Sequence, residues 1–66
     1  MTEPNQRYVA AWYRDQSTRW LQDLRRAFEL DRGADDAGPE NVAFCNGRIA
    51  IIDRILQERE ALKNQR

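Results

Sequence analysis

The stretch CNGRIAIIDRIL, residues 45–56, decides what this chain can become. Asn-Gly between two apolar runs, VAFC and RIAI, is the strongest short-range signal for a β-hairpin, because both residues accept the positive φ of a tight turn. A helix running through the dipeptide is the competing reading. On a wheel of about 100° per residue with Cys45 at zero, Val42, Cys45, Ile49, Ile52 and Leu56 fall within about 60° of zero, while Phe44, Ile51, Ile55 and Leu62 gather at about 240° to 280°. A strand would not sort its aliphatics into two helical stripes. A lone two-stranded hairpin is also marginal, and nothing else in the chain reads as strand. Gly47 inside a helix costs only about 1 kcal/mol relative to alanine, which burial of the flanking aliphatics offsets. The helix is therefore expected to run from Pro39 or Glu40 to about Asn64. Asn46 could still cap a restart at Arg48 and kink it.

The first half of the chain supplies the partner. Thr2 or Glu3 can open a helix ahead of Pro4, and no Gly or Pro follows from Asn5 to Leu30. With Trp20 at zero, Val9, Tyr13, Trp20, Leu24 and Ala27 share a face within about 40°, widened on one side by Leu21 and Phe28. Asp15 with Arg19, and Arg25 with Glu29, are opposite charges at i,i+4. The QST at 16–18 is the weak spot, where Ser and Thr compete for backbone hydrogen bonds and leave a kink open. DRGADDAGP then stops the helix: Gly33 suits a left-handed position after the last turn, and Gly38-Pro39 a turn into a new N-terminus. Asp35 and Asp36 read as solvated carboxylates that suit the dipole of the following helix. Adjacent aspartates lack the ligand spacing of a calcium loop, so no metal is assigned. The expected fold is all-α, an antiparallel two-helix hairpin in a single domain over residues 1–66, with a helix at about 5–31, a loop at about 32–38 and a helix at about 39–64.

Such a hairpin is short of cover. At 66 residues it sits near the lower limit for a self-sufficient core, and its single cysteine and lack of histidine exclude an internal disulfide and the usual Cys/His zinc sites. Two apolar stripes occupy roughly half of a helix circumference, whereas one neighbouring helix hides a narrower seam. Tyr8, Trp12 and Leu30 likewise lie off the main face of the first helix. Either the aromatic side chains lie flat over the hairpin, or they form an interface with another chain. The interface is the reading preferred, with Tyr8, Trp12, Phe44, Arg48, Ile51, Ile55 and Leu62 as its residues, because Trp, Tyr and Arg are the usual anchors of such surfaces. The fold would then be completed by oligomerisation or by docking on a larger protein.

The remaining polar residues point to support rather than chemistry. Arg48 and Arg59 fall between the two stripes, where their stems can cover apolar surface while the guanidinium reaches Asp23, Glu29 or a carboxylate of a partner. Cys45 lies on the main stripe with no adjacent His or Lys to activate it, so it reads as a small buried hydrophobe. No catalytic, cofactor or metal residue is assigned; neither an enzyme nor a small-molecule substrate is expected. Eleven basic and eleven acidic residues cancel, so overall charge does not steer the chain to nucleic acid or an anionic membrane. One local feature favours nucleic acid. Arg7, Arg14, Arg25 and Arg32 project at about 120° to 140° on the first helix and could track phosphates, although a solvated flank shared with Glu29 explains the row as well. The N-terminus lacks the pattern of a secretory signal and no apolar run approaches membrane-spanning length, so a cytoplasmic setting is expected.

The second helix also carries a resemblance. Gly47, Arg48, Ile49, Ile52 and Ile55 resemble the second helix of small helical-hairpin proteins from the head and packaging regions of tailed bacteriophages, where Gly-Arg-aliphatic is followed by aliphatics at helical spacing. The match covers roughly a fifth of the chain. It implies a viral structural protein, virion-associated or acting in assembly, bound in several copies to a larger phage protein in the host cytoplasm or the virion. Two alternatives stand beside it: a small inhibitor or regulator docking the same face on an enzyme, and a nucleic-acid-binding accessory protein using the arginine row.

Overall fold

The computed structural model describes residues 4–64, and side chains from Tyr8 onward. The described chain is all helical, with α1 at Pro4–Arg14, α2 at Thr18–Arg32 and α3 at Pro39–Lys63. The start expected at Thr2 or Glu3 lies outside the described residues. No strand occurs among them, and α3 runs without interruption through Asn46 and Gly47. The two residues that could have formed a tight turn carry no positive φ. Burial decided this contest: Cys45, Ile49 and Ile52, on either side of the dipeptide, all lie inside the fold.

The first helix differs from expectation, since what reads as one rod over about 5–31 is two helices broken at Asp15–Ser17. Local hydrogen bonding explains the break. The N–H of Asp15 closes on the carbonyl of Trp12 and that of Gln16 on Tyr13, tightening the last turn of α1. Ser17 then takes extended geometry and its Oγ accepts from the N–H of Trp20 at 3.1 Å, the N-cap bond that opens α2. Arg59 of α3 completes the junction, donating to the carbonyls of Arg14 at 3.0 Å and Gln16 at 2.8 Å and to Thr18 Oγ1 at 2.9 Å. The carbonyls left free at the end of α1 thus find a charged donor from a distant helix.

At its other end α2 stops without a left-handed residue. Gly33 has φ −86°, not the positive value expected, because its N–H still bonds to the Glu29 carbonyl and the chain leaves through the turns Ala34–Asp31 and Ala37–Ala34. Gly38 is the N-cap of α3 with no side chain to contribute, and Pro39 occupies the first turn, where its missing N–H costs nothing.

The core lies between α2 and α3 and is closed by α1. Tyr13, Leu21, Ile52 and Ile55 form one buried cluster, against which Val9, Leu24, Phe28, Ile51 and Leu56 pack. Polar partners run the length of the seam: Thr18 with Arg59, Arg25 with Asp53, Arg32 with Asn46. Ala27 and Trp20, expected on the main apolar face, are turned outward. The break resets the helical phase, so the buried side of α2 centres on Leu21 and Phe28 rather than continuing the face set by Val9 and Tyr13. The radius of gyration is 13.1 Å, against about 11 Å for a compact chain of this length.

Candidate functional site

The expected interface residues separate into two groups. Ile55, placed on the outward stripe by the wheel, is only 2% exposed and belongs to the core. Its cover comes from within the chain: the break at 15–17 lets α1 leave the line of α2 and bring Tyr13 onto the stripe that a continuous helix would have left bare. Ile51 is half-buried for the same reason and packs on that cluster. Tyr8 at 75%, Trp12 at 54%, Phe44 at 52% and Leu62 at 69% remain exposed. Arg48 is half-buried and sets its guanidinium carbon 4.9 Å from the Phe44 ring centroid, a cation–π contact in place of the expected pairing with Asp23 or Glu29.

Two of the exposed aromatics, Trp12 and Phe44, rest against other rings. Trp12 meets Trp20 edge to face at 5.3 Å between ring centroids and Tyr13 at 5.6 Å, and Phe44 meets Phe28 edge to face at 6.1 Å. Both geometries are the ones that ring quadrupoles favour. A side chain held in this way loses little further freedom on binding, which suits it to be an anchor. The role of Trp20 was missed by the wheel, which assumed one uninterrupted helix; the Ser17 cap, three residues before it, was the available signal.

The described arginines of the basic row are engaged within the chain. Arg14 pairs with Glu58, with Nη1 at 2.5 Å from the carboxylate. Arg25 pairs with Glu29 and, through Nε at 2.5 Å, with Asp53. Arg32 donates to the Asn46 side-chain oxygen at 2.7 Å. The Arg7 side chain lies outside the described residues. The hydrogen bond from Arg14 holds the Glu58 carboxyl below its ordinary range, and the Asp53 carboxylate raises Arg25 in the same way. Asp15 does not reach Arg19, which sits near Asp23 at 4.0 Å, because Asp15 lies in the break where i,i+4 geometry is lost.

Cys45 is fully buried, and its Sγ lies 3.7 Å from Asp31 Oδ2. Burial, and then the Asp31 charge, push its thiol pKa up, which disfavours the reactive thiolate. Among the described residues no three His, Cys, Asp or Glu side chains come together as metal ligands, and no helix is long and apolar enough to cross a membrane. No family model, no curated protein and no solved structure matches the chain.

What distinguishes the molecule is surface. Among the described residues Tyr8, Trp12, Leu30, Phe44 and Leu62 are large apolar side chains that are each more than half exposed.

Proposed function

We propose that this chain is a non-enzymatic association module whose exposed aromatic surface docks on another protein chain. The fold behind that surface is an antiparallel hairpin of α2 and α3, a reading supported by partner numbers that fall along α3 as they rise along α2: 18 with 59, 25 with 53, 32 with 46. The exposure of Trp12 and Phe44 carries the proposal. Large apolar side chains at 54% and 52% exposure, each braced by an aromatic neighbour, cost solubility unless something covers them. The setting we propose is a small phage assembly or virion protein, bound in several copies, which is what the resemblance at Gly47, Arg48, Ile49, Ile52 and Ile55 implies.

A tagged chain and its Trp12→Glu/Phe44→Glu double variant, purified from the native source, test the reading. Another chain, a copy of itself or a larger protein, should be held in stoichiometric amount by the first and lost by the second. Equal recovery with both, or with neither, overturns it.

A further inference from the structure

We infer that the chain covering this surface is a second copy of the same protein, laid alongside the first with its ends reversed. This rests on the association reading above and adds the partner and its orientation. Exposure is the first argument: Trp12, Phe44 and Leu62 stand at 54%, 52% and 69% exposed, side chains of the kind that anchor an interface.

Charge is the second. Residues 31–40, at the turn between α2 and α3, carry Asp31, Asp35, Asp36 and Glu40 against Arg32 alone. The far end of α3 carries Arg54, Arg59 and Lys63 against Glu58 and Glu60, and Glu58 is already shared between Arg14 and Arg54. Among the described residues Asp35, Asp36, Glu40 and Lys63 make no ion pair within the chain. Side by side, two copies of a molecule with an acidic end and a basic end attract one another when they run in opposite directions and repel when they run in the same direction. Opposed ends then meet at both extremities of a single two-fold arrangement, the self-complementary form of contact in symmetric dimers. The apolar residues are placed to match: Phe44 and Leu62 lie five helical turns apart on one side of α3, so reversal brings the Phe44 end of one copy to the Leu62 end of the other.

Lys63 is the only lysine in the chain, which makes the orientation measurable. Sedimentation of the purified full-length protein should give a dimer. Phe44→Glu should weaken that dimer about 30-fold, the loss of one anchor, and Leu62→Glu should weaken it at the opposite extremity, with helical circular dichroism retained in both. Carbodiimide, which joins amines to carboxylates without a spacer, should link Lys63 of one copy to Glu40, Asp35 or Asp36 of the other in mixtures of isotope-labelled and unlabelled chains. Within one copy Lys63 and Glu40 are about 35 Å apart along a straight helix and cannot be joined. A dimer whose inter-copy links from Lys63 reach only Glu58 or Glu60 overturns the reversed orientation. A helical monomer at every concentration overturns the second copy and leaves docking on a larger protein standing, so the two proposals fail separately.

Discussion

The guanidinium of Arg59, near the end of α3, donates to the main-chain oxygen of Gln16 at 2.8 Å and to that of Arg14 at 3.0 Å. Two residues 43 apart in sequence are thereby joined at the point where α1 leaves α2. The consequence reaches the association surface, because the angle of α1 decides whether Tyr13 covers Ile55 and where Trp12 stands.

Arg59→Met keeps the aliphatic stem and removes three donated hydrogen bonds. Each bond from a charged group is worth about 1.5–3 kcal/mol when buried, and these are partly exposed, so a total loss of about 1–2 kcal/mol is expected. Urea unfolding should show the lower midpoint. Near-ultraviolet circular dichroism should show a weakened Trp12–Trp20 signal before global unfolding. A signal that persists to the midpoint would mean that α1 is held without Arg59.

Ile55→Ala separates the core assignment from the interface assignment that the helical wheel suggested. A buried isoleucine truncated to alanine costs about 2–5 kcal/mol, a large part of the roughly 3–10 kcal/mol expected for a chain of this size. The loss should be the same at every protein concentration, because Ile55 is hidden within one copy. Ile52→Asp, at another fully buried position, should abolish folding outright. A stability deficit for Ile55→Ala that vanished at low concentration would return Ile55 to an interface.

Most of the fold was legible because it depends on local pattern: the period of aliphatics through Asn46-Gly47, and the Gly-Pro stop at 38–39 that places the start of α3 at Pro39. The break at Asp15–Ser17 was legible only as a weakness in QST. The Ser17 cap opens α2 locally, while the junction with α1 is tied to α3 by the long-range hydrogen bonding of Arg59, which no local period encodes. From that single omission follow the misplacement of Ile55, the outward turn of Ala27 and Trp20, and the lost pair between Asp15 and Arg19. The partners of the arginine row were illegible for a related reason. A wheel gives the direction of Arg14, Arg25 and Arg32, while the residues that meet them, Glu58, Asp53 and Asn46, lie on another helix.

Acid stability should depend on Glu58. Its carboxyl is held below the ordinary value of 4.5 by the hydrogen bond from Arg14, so the folded state binds this proton less readily than the unfolded chain. The stabilisation is present above pH 4.5 and is lost as pH falls through the lower, folded value. Glu58→Gln should flatten that part of the stability–pH curve while leaving the neutral-pH fold intact. An unchanged acid slope would show that the pair with Arg14 does not persist in solution.

Cys45 should behave as a reporter of opening. Burial raises its thiol pKa, so the folded state favours the protonated thiol and loses stability relative to the unfolded chain as pH rises above the ordinary value of 9.0. Ellman's reagent at neutral pH should react only as fast as the helices separate, and at the full rate of a free thiol in denaturant. Fast reaction in the native protein would contradict the burial of Cys45 between α2 and α3.

Gly47→Ala tests the reading with which the sequence began. A β-carbon built at Gly47 meets nothing within 4 Å, and the backbone there is helical with no positive φ. Alanine therefore introduces no clash, and it removes the backbone entropy that glycine loses on entering a helix, so the variant should be more stable by about 1 kcal/mol. In a domain of this size such a gain raises the melting temperature by roughly 4–8 °C. The opposite result has a definite meaning. An Asn-Gly turn needs positive φ at both residues, which alanine resists, so a destabilised Gly47→Ala would place a hairpin, not α3, at residues 42–51. Asn46→Ala separates the two cases again, since a helix loses at most the bond from Arg32 whereas a turn loses the residue best suited to its first corner.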